Sequence, residues 1–283
     1  YNEGFHGLYQ SGLYKSTDAG ATFTKVGGNL IAHAGANIGY NIQQIEIGAD
    51  NSVWVSTRGS LFGTSLPTGG RIYRSTDGVN FTNVYNANLQ GSRVQIALSK
   101  TNGAVAYGLL QGSGTTEPVR IIKTTNTGAT WAASNVTNSG VTLPKDADVA
   151  IPAQGYSGIP ANDFTRGQSF YDLVITVDPT NDAIFYVGGI DIFRTSNSGS
   201  TWTQVSKWSN NSGLNSLSVS TVHADQHAIV FNPKNTSQIA FGNDGGIYFC
   251  SNKANIATTT GISVRNNRYN VTQFYDAKMN PTK

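Results

Sequence analysis

Residues 194–202 read Arg194-Thr195-Ser196-Asn197-Ser198-Gly199-Ser200-Thr201-Trp202, and the chain repeats this stretch. Residues 15–23 and 123–131 are two further copies, and residues 74–81 are a shortened one. The shared order is a basic residue, Ser or Thr, any residue, Asp or Asn, any residue, Gly, any residue, Thr and an aromatic residue. The hydroxyl and Asx side chains can accept bonds from nearby backbone N–H groups and close a turn, and the glycine supplies a positive φ.

A short apolar segment precedes each copy, and the aromatic residue opens another, so each copy is predicted to be a hairpin tip between two antiparallel strands. The preceding segments are Leu13-Tyr14, Ile72-Tyr73, Ile121-Ile122 and Ile192-Phe193. The residues predicted to build these turns and to bury their rings are Ser16, Asp18, Gly20, Phe23, Ser75, Asp77, Phe81, Thr124, Asn126, Gly128, Trp131, Thr195, Asn197, Gly199 and Trp202.

The repeat resembles the Asp-box, or BNR repeat, of sialidases, sortilin-like receptors, oligoxyloglucan-hydrolysing enzymes and many secreted bacterial proteins. The resemblance implies an all-β fold, a β-propeller of four-stranded antiparallel blades with Asp-box hairpins. It also implies a structural role for the repeat, on the outer part of each blade and away from the ligand. The motif specifies the fold and leaves the function open.

The composition fits many short strands and tight turns. Of 283 residues, 32 are glycine and only 12% are charged, and no window shows the apolar spacing of a long helix. The net charge is +3 and the 19 basic residues are scattered along the chain, which disfavours nucleic acid as a partner. No apolar run of membrane-spanning length occurs. The single cysteine, Cys250, predicts a buried thiol without an intrachain disulfide, which suits a secreted bacterial protein better than an animal ectodomain. No cofactor is expected.

The spacing of strands and repeats predicts one propeller, or part of one, over residues 1–283. Successive blades are expected at about 42–84, 93–134, 170–205 and from 223, with the end of another before them and the start of a sixth at Gln273–Met279. Residues 135–169 and 206–221 do not fit the blade pattern and are predicted loop insertions, the first projecting from a propeller face. Because an incomplete ring leaves exposed edge strands, we expect the native protein to continue past Lys283.

Two imidazoles and a carboxylate alternate at the start of the last complete blade, at His223, Asp225 and His227. Residues two apart on a strand share one face, so these side chains are a possible metal site. The alternative is that they lie at the mouth of the inner strand and bond to backbone or water. Ligands from a single strand give poor tetrahedral geometry, so no metal is assigned.

Asp244 lies between glycines in the stretch Gly242-Asn243-Asp244-Gly245-Gly246. This loop resembles the Asp-x-Gly-Gly loop that carries catalytic aspartates in the oligoxyloglucan-hydrolysing enzymes, although it is one residue shorter. Glycoside hydrolysis normally needs two carboxyl groups, and Asp225 or Asp191 is the predicted partner of Asp244. The alternative role of Asp244 is to stabilise a turn. A sialidase is disfavoured, because Arg120-Ile121-Ile122 lacks the proline of the Arg-Ile-Pro motif.

The runs 167–181, 186–190, 223–227 and 243–246 are similar to secreted repeat proteins of Bacteroidetes, which often end in a type IX secretion sorting domain. This resemblance implies a secreted or cell-surface bacterial protein. The leading prediction is a non-catalytic domain that presents loops to a glycan or protein partner. A glycoside hydrolase and a purely architectural repeat are the alternatives. The predicted binding residues are His223, His227, Asn243, Trp208 and Tyr156, with Phe164 and Phe170 as further aromatic groups that could stack on sugar rings or anchor the loops.

Overall fold

The computed structural model describes residues 12–28, 41–58, 70–87, 93–112, 119–150, 163–211 and 213–267. These residues are almost entirely in strands and turns, with short 3-10 helices at Ala147–Ala150 and Lys253–Asn255. The strands are β1 (Leu13–Lys15), β2 (Thr24–Val26), β3 (Asn41–Ile47), β4 (Val53–Arg58), β5 (Arg71–Ser75), β6 (Thr82–Asn86), β7 (Val94–Leu98), β8 (Ala106–Leu110), β9 (Arg120–Thr124), β10 (Ala132–Ala133), β11 (Val174–Val177), β12 (Phe185–Gly188), β13 (Ile192–Thr195), β14 (Thr203–Gln204), β15 (Ser206–Lys207), β16 (Ser220–Thr221), β17 (Gln226–Asn232), β18 (Asn235–Asn243), β19 (Gly246–Cys250) and β20 (Ser263–Val264). No helix within the described ranges is long and apolar enough to cross a membrane.

The strands form antiparallel meanders, each of which is one propeller blade. Four sheets have four strands in chain order: β3–β6, β7–β10, β11–β14 and β17–β20. The strands β1 and β2 form a separate antiparallel pair before the first complete sheet. The predicted all-β propeller of four-stranded blades is therefore confirmed.

Each blade has two ends with different connections. Because neighbouring strands are antiparallel, one end of the blade holds the start of the first strand, the end of the second and the start of the third. We call this end of the blade the loop end. The opposite end, the turn end, carries the connection from first to second strand and the repeat turns between third and fourth strands. The repeat turns therefore lie at the far end of the blades from the second-to-third loops that hold Asp191 and Asp244.

The repeat turns have the hydrogen bonds that the sequence predicts. In the copy between β13 and β14, Gly199 N donates to Thr195 Oγ1 at 3.0 Å and Thr201 N donates to Asn197 Oδ1 at 2.9 Å. Ser198 and Gly199 have φ values of 60° and 91°, so the turn requires the left-handed region at both positions. The copies at 15–23 and 123–131 have the corresponding bonds.

One predicted ring burial is wrong. Phe81 is buried and Trp131 and Trp202 pack against core clusters, but Phe23 is 63% exposed. Phe23 precedes β2, and among the described residues its hairpin has only two strands to cover a ring.

The apolar cores lie between neighbouring sheets. Tyr107 on β8 and Phe185 on β12 meet with ring centroids 4.2 Å apart, so the largest cluster joins the β7–β10 and β11–β14 sheets. Other clusters join β11–β14 to β17–β20 and β3–β6 to β7–β10. Cys250 is fully buried in one of them, which confirms the predicted buried thiol. Burial between sheets fixes neighbouring blades relative to one another and so positions their loop-end residues.

The first predicted insertion does not project in its described parts, 135–150 and 163–169. Trp202 Nε1 donates to Thr142 O at 3.2 Å, and Thr142 Oγ1 donates to Gly199 O at 2.9 Å. Phe164 is fully buried against Phe193, with ring centroids 5.6 Å apart. These segments therefore cover the β11–β14 sheet. In the second predicted insertion, β15 and β16 form a parallel pair that the sequence did not predict.

Candidate functional site

Three carboxyl groups meet at the loop end of the β11–β14 and β17–β20 blades. Asp172 lies two residues before β11, Asp225 immediately precedes β17, and Asp244 lies in the turn between β18 and β19. Together with Tyr171 and His227 they form what we call the acidic cluster. The cluster is thus built from the starts of β11 and β17 and from the turn between β18 and β19.

The turn that carries Asp244 is built by its neighbours. Gly245 N donates to Asn243 Oδ1 at 3.0 Å, and Asn243 Nδ2 donates to Gln226 Oε1 at 3.3 Å. A Cβ on Gly245 would overlap the side chain of His223, so only glycine allows this close approach. Gly246 has a φ of 106°, which again favours glycine. The glycines of this stretch therefore fix the position of the carboxyl group between them.

The Asp244 carboxyl group is held on two sides. His227 Nε2 lies 2.8 Å from Asp244 Oδ1, and the Tyr171 hydroxyl donates to Oδ1 at 3.0 Å and to Oδ2 at 3.1 Å. The rings of Tyr171 and His227 meet edge to face, with centroids 4.8 Å apart. The side chains of His227 and Asp244 keep 36% and 34% of their surface exposed. Asp244 is thus oriented by the protein and still open to a ligand.

Asp172 and Asp225 sit behind this surface with unsatisfied oxygens. Asp172 is fully buried, and neither of its carboxyl oxygens accepts a hydrogen bond from any described residue. Burial, together with the nearby Asp225 charge, raises the pKa of Asp172 to about 9, so it is protonated at neutral pH. Burial and the charge of Asp244 raise the pKa of Asp225 as well. Asp225 also has a left-handed φ of 64°.

Arg93, immediately before β7, holds the segment that carries Tyr171 and Asp172. Its guanidinium donates to Tyr171 O at 3.0 Å, to Phe170 O at 3.4 Å and to Leu173 O at 3.5 Å. Burial and the nearby Arg58 lower the pKa of Arg93. A third blade thereby positions the cluster.

The structure brings Asp225 close enough to Asp244 for the two charges to interact. The predicted partner Asp191 is elsewhere: it is fully buried and accepts hydrogen bonds from Ser206 Oγ at 2.9 Å and Gln204 Nε2 at 3.2 Å. Burial and the charges of Asp146 and Asp148 raise the pKa of Asp191 well above its usual range.

The structure does not place His223, Asp225 and His227 as the alternation along a strand would. The strand β17 begins only at Gln226, and the left-handed Asp225 turns the chain, so the three side chains do not alternate along one strand face. His223 Nδ1 instead contacts Ala224 O at 3.1 Å. The described part of the chain holds no group of three His, Cys, Asp or Glu side chains suited to a metal ion.

The predicted aromatic binding residues differ in their exposure. Phe170 is 57% exposed and lies next to the cluster, whereas Phe164 is fully buried and cannot stack on a ligand. Trp208 is half-buried in the segment that links β15 to β16. Tyr156 lies outside the described residues.

Sequence reasoning missed Tyr171, Asp172 and Arg93. All three come just before the first strand of a blade, as Asp225 does. A polar or charged residue immediately ahead of an apolar inner strand was therefore the available signal, since these strand starts converge at the loop end.

Comparisons with known proteins show the fold. An ancestral GH74 enzyme matches with 15% identity and a TM-score of 0.52, over 86% of this chain and 27% of that one. A GH74 enzyme of Niastella koreensis matches with 14% identity and a TM-score of 0.36, over 88% of this chain and 45% of that one. YCF48 from Cyanidioschyzon merolae matches with 13% identity and a TM-score of 0.42, over 74% of this chain and 52% of that one.

The chain thus spans less than half the length of these GH74 enzymes. No protein-family model matches the sequence, and no curated protein matches it significantly. At such low identities the likeness to solved structures is one of architecture. The chain is a β-propeller.

Proposed function

We propose that this chain is the glycan-binding propeller region of a secreted or cell-surface bacterial protein, and that the acidic cluster at the loop end is its binding site. The four repeat turns are then Asp-boxes that stabilise the opposite end of the blades. A protein partner and a purely architectural role are the competing outcomes.

The observation that carries this proposal is the exposed aromatic pair beside an oriented carboxylate. Phe170 and Tyr171 are 57% and 45% exposed. Sugar rings stack their apolar faces on aromatic side chains and donate hydroxyl hydrogens to carboxylates. Asp244 presents such an acceptor with its orientation fixed by Tyr171 and His227. A site of this kind needs little rearrangement on binding.

The Asp244→Asn variant is expected to bind glycans at least about tenfold more weakly, which corresponds to about 1.4 kcal/mol. The substitution keeps the shape of the side chain and replaces one acceptor oxygen with a donor. Tyr171→Phe is expected to weaken binding as well, because Asp244 loses its hydroxyl anchor. Titration calorimetry with polysaccharides found on an array would measure both effects.

Tyr14→Phe is the matched control, since Tyr14 is a partly exposed tyrosine on β1, away from the cluster. Its affinity is expected to equal that of the wild type. Unchanged affinity in Asp244→Asn and Tyr171→Phe would place glycan binding elsewhere on the molecule. A complete lack of glycan binding by the folded wild type would favour a protein partner or an architectural role.

Glycoside hydrolysis at the same site is the second candidate function, and the three carboxyl groups favour it. Asp172 is protonated at neutral pH, whereas Asp244 is held by a histidine and a tyrosine. Carboxyl groups whose surroundings separate their pKa values are the usual means of acid–base catalysis. Asp225 is half-buried, and burial first and then the Asp244 charge raise its pKa.

For a hydrolase, Asp225→Asn is expected to lower reducing-end release from a bound polysaccharide by at least about a hundredfold, the usual contribution of one acid–base group. Binding of the same polysaccharide, measured in parallel, should change far less. Binding without any release by the wild type would contradict this second function and leave the first intact.

A further inference from the structure

We propose that the acidic cluster selects neutral sugar units and rejects acidic ones, namely uronic or sulfated sugars. This inference rests on the proposed glycan binding and names the class of sugar that the site accepts. It follows from which atoms of the cluster face outward and which are already occupied.

The outward-facing polar atoms of the cluster are carboxyl oxygens. Asp244 accepts hydrogen bonds from Tyr171 and His227, yet a carboxylate has about four acceptor positions, so some stay available. Asp225 is half-buried behind this surface, and its Oδ1 is enclosed by the protein. A ligand that satisfies the available acceptor positions of Asp244 must bring hydrogen-bond donors, as sugar hydroxyls do.

The basic groups near the cluster make contacts within the protein. Arg93 donates to the carbonyl groups of residues 170, 171 and 173. Arg58 is bridged to Arg93 through the backbone. His227 is engaged by Asp244, and His223 Nδ1 contacts the carbonyl of Ala224. The guanidinium of Arg93 therefore donates its hydrogen bonds to backbone carbonyls of the protein and holds the loop at residues 170–173.

The remaining titratable groups disfavour a negative ligand. Asp172 is neutral at pH 7, so it neither attracts nor repels. Burial first, and then the charge of Asp244, raises the pKa of Asp225. A ligand carboxylate at this surface would bring another negative charge close to Asp244, and like charges repel. We therefore expect affinities for acidic sugars to fall about 30-fold or more.

The test uses sugars that differ in one charged group. The probes are linear hexasaccharides of glucose, galactose and mannose, their C6-carboxylated forms, and the methyl esters of those forms. The ester keeps the added atoms of the carboxylate without its charge. Affinities at pH 7 are measured by calorimetry for the wild type, for Asp244→Asn, and for Glu46→Gln as a control. Glu46 is a surface carboxylate of β3 that pairs with Lys100, away from the cluster.

We expect at least one neutral hexasaccharide to bind with the same affinity as the methyl ester of its carboxylated form. The carboxylated form itself should bind about 30-fold more weakly or worse, and this ratio of affinities is the gap. In Asp244→Asn this gap should shrink to about threefold or less, and in Glu46→Gln it should be unchanged. A smaller gap in high salt is also expected, because exposed charges are screened.

Equal or tighter binding of the carboxylated form would overturn this inference and leave glycan binding standing. A gap that Asp244→Asn leaves unchanged would also overturn it, since the discrimination would then arise elsewhere. Absence of binding by every form would contradict the proposed function itself.

Discussion

The Lys253→Met variant is expected to lose about 3 to 5 kcal/mol of its free energy of unfolding, the usual cost of leaving a buried charge without its partner. Lys253 Nζ lies 2.5 Å from Asp178 Oδ2, and the Asp178 side chain is completely buried. Asp178 follows β11 and Lys253 follows β19, so this ion pair joins two blades at their turn end. Methionine keeps most of the length of lysine and removes only the charge.

Urea denaturation at pH 7 would measure this loss. The double variant Asp178→Asn/Lys253→Met is expected to recover most of the stability, because no buried charge remains and Asn retains the oxygen that accepts from Thr180 N at 2.9 Å. Lys100→Met is the control: it breaks the exposed Lys100–Glu46 pair and should cost at most about 1 kcal/mol. Similar losses of unfolding free energy in Lys253→Met and Lys100→Met would contradict this prediction, because the buried pair would then stabilise the protein no more than the exposed one.

The Asp172→Asn variant is expected to be more stable than the wild type at pH 8, and the difference should shrink as the pH falls towards 4. Burial first, and then the Asp225 charge, raises the pKa of Asp172 to about 9 in the folded state. The folded protein therefore keeps a proton that the unfolded chain releases near its ordinary pKa of about 4. Wild-type stability from this group is fully present below about pH 4 and is lost as the pH rises towards 9.

Asparagine has no such proton to lose, so the variant should gain at least about 1 kcal/mol over the wild type by pH 8. Denaturation curves at several pH values between 4 and 9 would show it. Asp18→Asn provides a control of opposite sign, because hydrogen bonds from Thr22 and Ser16 lower the pKa of Asp18 to about 2. Its effect on the slope should be confined to acid pH. Parallel stability curves for wild type and Asp172→Asn would contradict the assigned protonation of Asp172.

The repeat made the architecture predictable, since a turn motif followed by an aromatic residue fixes both the hairpin and its spacing. The sequence also offered Asp225 as a partner of Asp244 because the two are close along the chain, and the structure places both at the same end of one blade. Asp172 and Arg93 come from neighbouring blades and meet the cluster through packing between sheets, so their place ahead of an inner strand was the one signal in the sequence. The histidine–aspartate alternation misled because one left-handed residue, Asp225, precedes the strand.

The alternative that Phe164 anchors its loop to the body is confirmed, but the partner on which it packs was outside the reach of local patterns. An aromatic residue between glycine-rich and proline-rich segments reads as a loop residue, yet Phe164 packs on Phe193 in the largest core cluster. Its environment depends on a segment folding back over a sheet that follows it in the chain. Such long-range packing leaves no periodic signal in the sequence.

The placement of the apolar cores between sheets has a consequence for how such chains change over evolutionary time. A blade offers one face to the blade before it and one to the blade after it, as Tyr107 and Phe185 illustrate. Tandem duplication of a blade-coding segment would thus bring in a matching pair of faces at once. We therefore expect proteins of this architecture to gain or lose whole blades. Loss of a single strand would instead disrupt the packing of its blade against both neighbouring blades.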